Sequence, residues 1–382
     1  MQLCKRRYLN DDGLKGVKAY KYSGRDDSLL YNHVLSPMAG WLVDKFMPSW
    51  VAPNVITVCG MTFILMSHLQ YWYYSKGEEV GSYAPSWVHY LAAFNIVLYS
   101  TFDNMDGKQA RKTGSSSTYG MLVDHGVDCI MAMLLGLNVV AAVRMDQTEA
   151  FYTMIFVTII PAYAAVWETY QLKGMFLPII NGPNEGLLSV CLTFIWTGFV
   201  GSDWWQVEQL WGYTRAQLLV RYCFVFGVFA ALSNTYKVLT HKSDEGIWPR
   251  IQRIIPELII IGCLIVVERV SPSGIAKTHF RSLFYFFLFF HAKLDILLQT
   301  YMAASQKARI FRLSVIIPAV LFAANSVVGH YLGKCPVDEV VLLKGGLVYS
   351  LLMFVHFVLN LTDEMTTYLG IRVFSISKVK AT

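Results

Sequence analysis

Four aspartates carry the chemistry most plainly legible in this chain. Asp103 and Asp106 are three residues apart, and Asp124 and Asp128 are four apart. Either spacing puts both side chains of a pair on one face of a helix. The whole stretch reads DNMDGKQARKTGSSSTYGMLVDHGVD and also holds Gly107, Ala110, Arg111 and Gly120 between strongly apolar flanks. Charge at membrane depth is costly, and where it occurs it usually has a function. Four carboxylates converging across a helical hairpin repel one another unless cations neutralise them. Hard oxygen ligands select Mg2+ or Mn2+. Two such ions about 4 Å apart are a recurring solution for phosphoryl chemistry. The predicted ligands are Asp103, Asp106, Asp124 and Asp128, and the expected anionic partner is a pyrophosphate. Arg111 can grip phosphate oxygens through its planar fork. Lys108 can add a point charge. Gly107 and Gly120 let backbone approach a ligand or a neighbouring helix. His125, next to Asp124, can accept a proton near neutral pH or orient a carboxylate.

Such a hairpin needs a scaffold, and the composition indicates which. The 382 residues are 55% hydrophobic and only 15% charged. A soluble domain carries nearer a quarter charged residues. Long apolar runs recur throughout, so an all-α, polytopic transmembrane bundle is expected. The net charge of +6 sits mostly in loops, with no basic array interleaved with aromatics, and nucleic acid is not an expected partner. The seven cysteines, from Cys4 to Cys335, show no CxxC or Cys/His ligand spacing, which argues against zinc. The N-terminus lacks a signal-peptide pattern, so insertion is expected to rely on internal helices.

Residues 1–28 are polar and basic. Residues 29–47, LLYNHVLSPMAGWLVDKFM, have apolar positions at helical spacing and predict an interfacial amphipathic helix. About ten spans follow, near 53–75, 86–106, 119–143, 149–171, 185–202, 217–239, 254–270, 280–302, 313–333 and 342–362. The eighth contains His291, Lys293 and Asp295 and must face protein rather than lipid. Pro161, Pro256 and Pro318 are expected to start or kink helices. Four segments follow from this: a cytosolic N-terminal segment over 1–50, a catalytic membrane core over 51–240, C-terminal spans over 241–365, and a cytosolic tail over 366–382. Basic residues gather at 108–112, 173, 242–253 and 307–312 and in the tail at Arg372, Lys378 and Lys380. The other side carries scattered charges such as Lys76, Arg144 and Arg215. The positive-inside rule then puts both termini and the aspartates on the cytosolic side.

The spacing D-x2-D-G-x2-A-R-x8-G-x3-D-x3-D resembles the signature of the CDP-alcohol phosphotransferases, with all eight fixed positions present. That family's last Asp is generally read as the base, which makes Asp128 an alternative to His125. Pro53-Asn54-Val55-Ile56-Thr57 resembles an element of the eukaryotic choline/ethanolamine branch whose Asn contacts the nucleotide. An Asn after Pro at a helix start also serves as a cap. PIINGPNEG, at 178–186, resembles another element of that branch. Its Glu185 can contact a cationic headgroup or support the histidine, or simply sit at a helix start. The YKYSG at 20–24 fits the same branch. The usual DHGCD here reads DHGVD, with Val127 in place of Cys.

The resemblance implies transfer of phosphocholine or phosphoethanolamine from CDP-choline or CDP-ethanolamine to diacylglycerol, with release of CMP. It further implies a homodimer in the endoplasmic reticulum or Golgi membrane. About ten spans set the chain apart from the shorter inositol and glycerophosphate members, which have about six. Another headgroup or acceptor, inositol or ceramide, is the nearest alternative. A transporter would show inverted repeats and broken midplane helices, which the sequence lacks. A quaternary ammonium favours an aromatic cage, for which Tyr119, Tyr163, Trp167 and Tyr170 are candidates.

Overall fold

A computed structural model describes residues 6–75, 80–81, 83–243 and 245–377. Cys4, Lys76, Lys378 and Lys380 lie outside the described residues. Apart from two short two-stranded ladders the described chain is helical. Helix α1 is Asp11–Ala19, capped by the Asn10 side chain accepting from the Gly13 amide, and α2 is Ser36–Phe46. Ten long helices follow: α3 Pro53–Tyr74, α4 Ser86–Thr113, α5 Thr118–Ala142, α6 Gln147–Leu172, α7 Leu187–Val200, α8 Arg215–Thr240, α9 Ile255–Val270, α10 Phe280–Ala303, α11 Leu313–Leu332 and α12 Glu339–Leu369. Each predicted span falls on one of them.

Among the described residues seven helices are long and apolar enough to cross a membrane: α3, α5, α6, α8, α10, α11 and α12. The other three differ for visible reasons. Helices α7 and α9 have 14 and 16 residues. Helix α4 is long but diluted by polar residues that bond inside the bundle. His89 Nδ1 pairs with Tyr71 Oη at 2.7 Å, and Asn95 donates to Ser67 Oγ at 2.9 Å. Polar groups are tolerated at such depth when their partners are internal.

Helix α10 is the axis of the bundle. Its apolar window is 89% buried, against 11% for α8, so α10 meets protein on all sides and α8 presents most of its surface outward. Phe280, Phe284, Phe286, Phe287 and Phe290 fill the space around α10, and His291, Lys293 and Asp295 are buried with them. The expectation that this span faces protein is met. The prolines act locally. Pro256 opens α9, Pro318 lies inside α11, and a wide π-turn, Met154–Ile159, precedes Pro161 within α6. A widened turn accommodates a residue without an N–H.

Two features tie the N-terminus to this frame. Strand β1, Gly24–Asp26, pairs in parallel with β2, Met175–Leu177, Gly24 opposite Met175. Helix α2 lies along α4, with Lys108 Nζ donating to Ser36 Oγ at 2.8 Å and Lys112 Nζ to the Val43 carbonyl at 2.7 Å. Ala39 and Val43 bury against Ile56 and Met105, while Trp41, Phe46 and nearby Trp50 stay exposed. A second ladder joins β3, Glu208–Leu210, to β4, Tyr213–Thr214, on the opposite side of the sequence-predicted topology from the aspartates.

Candidate metal and phosphate site

The α4–α5 hairpin builds the site. Helix α4 ends at Gly114, whose φ of 64° supplies the left-handed turn that stops a helix, and Ser115 N donates back to the Ala110 carbonyl at 2.9 Å. Helix α5 starts under a Ser117 cap that accepts from the Gly120 amide at 3.0 Å. The tight turn sets the two acidic faces against each other. One oxygen each from Asp103, Asp124 and Asp128 lie within 4.8 Å of one another, all three residues half-buried. Asp128 accepts a hydrogen bond from the Tyr99 hydroxyl. Asp124 Oδ1 is buried and has no hydrogen-bond donor among the described residues. An orphaned carboxylate oxygen beside two more carboxylates is costly without a cation. This donor set fits a hard divalent ion.

Asp106, the fourth predicted ligand, is not among the three whose oxygens lie within 4.8 Å of one another. It is buried and accepts from the Thr57 hydroxyl. That contact depends on close helix approach one turn away, where a Cβ placed on Gly60 would be 3.1 Å from Phe102 Cβ. Thr57, carried by the PNVIT element, was not singled out in the sequence. A hydroxyl one turn from two helix-start residues gives no spacing signal of its own.

The predicted phosphate residues cluster beside this hairpin. A Cβ on Gly107 would meet only Arg111 Nη1, at 3.5 Å, so the backbone there borders open space and not a helix. Arg111 is exposed and has no ion pair among the described residues. Lys108 is instead engaged with Ser36. Gly120 and Asn54 adjoin, a Cβ on Gly120 being 3.6 Å from Asn54 Oδ1, while Asn54 Nδ2 donates to the Val373 carbonyl at 2.8 Å. Asn54 thus acts neither as a cap nor alone, since it holds the C-terminal tail against the start of α3.

His125 shows its ring to Tyr22, centroids 6.1 Å apart, and pairs through Nδ1 with Gln299 Oε1 at 2.5 Å. Neither partner followed from spacing. Glu185 braces the loop that carries it. Its Oε1 accepts from Ser28 Oγ at 2.6 Å and its Oε2 from the Asn181 amide at 3.1 Å, while Asn181 and Asn184 both donate to Asp26. Ser28 and Tyr22 flank β1, so one N-terminal strap links Glu185 to the face of His125. The four cage candidates have other contacts. Tyr163 and Trp167 donate to the Arg253 and Arg250 carbonyls, Tyr170 to the Gln306 carbonyl, and Tyr119 pairs with Thr362. Val127, the departure from the usual DHGCD, packs on the main hydrophobic core.

Residues 50–178, which include the hairpin, match the CDP-alcohol phosphatidyltransferase family model. Over the full length, the chain is 30% identical to choline/ethanolaminephosphotransferase 1 of Arabidopsis thaliana, covering 98% of this chain and 100% of that protein. The chain belongs to the CDP-alcohol phosphatidyltransferase family. Other family members are similar along the whole chain. Choline/ethanolaminephosphotransferase 2 of Arabidopsis thaliana is 29% identical over 98% of this chain and 100% of its own. Cholinephosphotransferase 1 of Saccharomyces cerevisiae is 27% identical over 98% and 99%. The family match spans Asn54, all four aspartates and His125. Gln299 and Glu185 lie beyond it, in the part of the chain that only the full-length relatives cover.

Proposed function

We propose that this membrane protein transfers phosphocholine or phosphoethanolamine from CDP-choline or CDP-ethanolamine to diacylglycerol, forming phosphatidylcholine or phosphatidylethanolamine and CMP. The observation that carries this reading is the convergence of Asp103, Asp124 and Asp128 around an orphaned carboxylate oxygen at the end of an apolar hairpin. Asp103, Asp124 and Asp128, with Asp106 beside them, would hold two Mg2+ or Mn2+ ions. When bound, these ions supply charge neutralisation for the pyrophosphate and the departing CMP.

The chain's own residues do the rest. Arg111, which has no ion pair among the described residues, grips phosphate oxygens through its fork, and Gly107 leaves room for them. Asn54, Gly120 and Ala110 line the nucleotide side, and Lys108 contributes positive charge from its place against α2. The diacylglycerol hydroxyl enters from lipid and attacks the β-phosphorus in line. An O–P bond forms, the P–O bond to CMP breaks, and the electron pair leaves on the CMP phosphate. His125 takes the hydroxyl proton. Asp128 is the less suited base because it accepts from Tyr99 and belongs to the metal cluster. Glu185 supports the histidine side through the Ser28 strap. No phospho-enzyme is needed.

We infer a site facing the cytosol, a reading supported by the basic loops, and a home in the endoplasmic reticulum or Golgi membrane, as the family resemblance implies, with α2 lying in the interface through Trp41, Phe46 and Trp50. The working unit is a homodimer. The test is CMP release by the purified protein with diacylglycerol and Mg2+, offering CDP-choline and CDP-ethanolamine separately. Release with either supports the reading, and the ratio gives the headgroup preference. No release with either, from folded protein, overturns it.

A further inference from the structure

Helix α10 lies in the C-terminal half, far in sequence from the aspartate motif, yet it reaches the site through a polar line. His125 Nδ1 pairs with Gln299 Oε1 at 2.5 Å, and Gln299 Nε2 donates to Asp295 Oδ2 at 3.0 Å. Gln299 and Asp295 are each 2% exposed, so neither polar side chain is there to meet water. They sit one helical turn apart on the same face of α10. The approach that joins them to α5 is made at Gly126, where a Cβ would lie 3.0 Å from Ile296 Cδ1. A Cβ at 126 would require the Ile296 side chain, which lies between Asp295 and Gln299 on α10, to give way.

A glutamine amide can present either end to a neighbour, so its direction must be fixed by something else. Asp295 fixes it, because a carboxylate accepts and draws the NH2 end. The carbonyl end is then turned to the imidazole, and only a nitrogen that bears hydrogen can complete that bond. His125 therefore keeps its hydrogen on Nδ1 and its lone pair on Nε2. Outer partners of this kind set tautomer and ring orientation.

We propose that Gln299 and Asp295 are positioning residues for His125. Asp295 sets the direction of the amide, and the amide sets which imidazole nitrogen is available to receive the proton of the incoming diacylglycerol hydroxyl. This rests on His125 being the proton acceptor. It assigns a role to α10, outside the part of the chain that carries the aspartate motif.

The test uses the full-length protein in lipid nanodiscs, with CDP-choline or CDP-ethanolamine, whichever is used better, diacylglycerol and Mg2+. Gln299→Met keeps the shape and removes both amide ends. The expected result is a kcat lower by about 10- to 100-fold, the scale for loss of an outer partner. KM for the CDP-alcohol and the Mg2+ concentration for half-activation stay unchanged, because no phosphate or metal contact is touched. A merely structural role would move all three with the melting temperature. Wild-type kcat in Gln299→Met, or a loss seen only in KM or Mg2+ activation, overturns the proposal. Asp295→Asn is measured beside it. It lets the amide turn either way, so kcat falls several-fold, and it decides the matter if Gln299→Met fails to fold; full kcat there overturns the proposal. His125→Ala separates the two levels. Full activity in His125→Ala overturns the underlying reading of the base. An inactive His125→Ala beside a fully active Gln299→Met overturns only the positioning role.

Discussion

Gly107→Ala separates a packing glycine from one that keeps room for substrate, because the two roles give opposite signs. Gly107 lies well inside α4, and none of the positive backbone φ angles falls on it. The new methyl would meet only Arg111 Nη1, at 3.5 Å, which is ordinary van der Waals contact. No protein atom therefore opposes the change. Replacing a helix-interior glycine by alanine gains about 0.5–1 kcal/mol through a less flexible unfolded chain. The variant should melt at a slightly higher temperature than the parent. If the space above Gly107 belongs to the pyrophosphate, the same methyl intrudes on a fitted ligand. Overfilling a packed contact costs about 1–3 kcal/mol. At about 1.4 kcal/mol per factor of ten, kcat/KM for the CDP-alcohol falls by about 5- to 150-fold. The assay is CMP release against CDP-choline concentration, with thermal unfolding followed on the same preparation. A more stable protein with lower kcat/KM is the expected pair of results. A more stable protein with unchanged kcat/KM would refute the placing of substrate against this face. Gly120→Ala makes a useful contrast, since its methyl would press on Ser117 Oγ at 3.3 Å and Asn54 Oδ1 at 3.6 Å, and it should lose stability and activity together.

Asp124→Asn removes charge from the orphaned oxygen and should abolish turnover while the protein still purifies as a folded membrane protein; near-full CMP release would sink the metal site. Chelation should stop the parent enzyme, and Mg2+ or Mn2+ should restore it. Mg2+ at about 100 times its dissociation constant should also raise stability by about 2.7 kcal/mol, an effect that thermal unfolding should not find in Asp124→Asn. Arg111→Lys keeps the charge and loses the fork, so kcat/KM for the CDP-alcohol should drop by the equivalent of about 1.5–3 kcal/mol; an unchanged value would take Arg111 off the phosphates. Thr57→Val removes the hydroxyl that Asp106 accepts from and should cost a comparable amount, read as weaker Mg2+ activation. Unaltered Mg2+ activation would mean that Asp106 needs no fixing.

Much of this was written in the sequence at short range. The helices were legible because each long apolar run has few ways to satisfy its backbone except a helix. The hairpin was legible because the Asp spacing is local; the Ser117 cap is just as local but was not read. Contacts between distant helices were not. Gln299 lies 174 residues from His125 in an apolar segment, and no periodicity connects the two. The signal that existed was indirect: Gly126 beside His125 permits a neighbour to come close, but it does not say which one. The surroundings of the four cage candidates were not legible for the same reason. Helical spacing puts Tyr163, Trp167 and Tyr170 near one another, but it does not tell which neighbour they face, and their polar ends go to carbonyls of Arg253, Arg250 and Gln306. Glu185 was read as a headgroup or histidine contact or a helix-start carboxylate. The bond to Ser28, 157 positions earlier in the chain, could not be read from either residue.

The bond from Asn54 to the Val373 carbonyl joins the opening of the first long helix to the tail beyond the last one. Ribosomes make those two residues far apart in time. His125 likewise emerges well before Gln299, and the strap at β1 waits for β2. A nascent chain with its first three long helices inserted already owns every aspartate of the hairpin, yet it lacks the parts that close around them. Synthesis order thus delays the last of these contacts until Val373 has been made. A stop codon after Gly370 would leave all ten long helices intact and still deprive Asn54 of its partner.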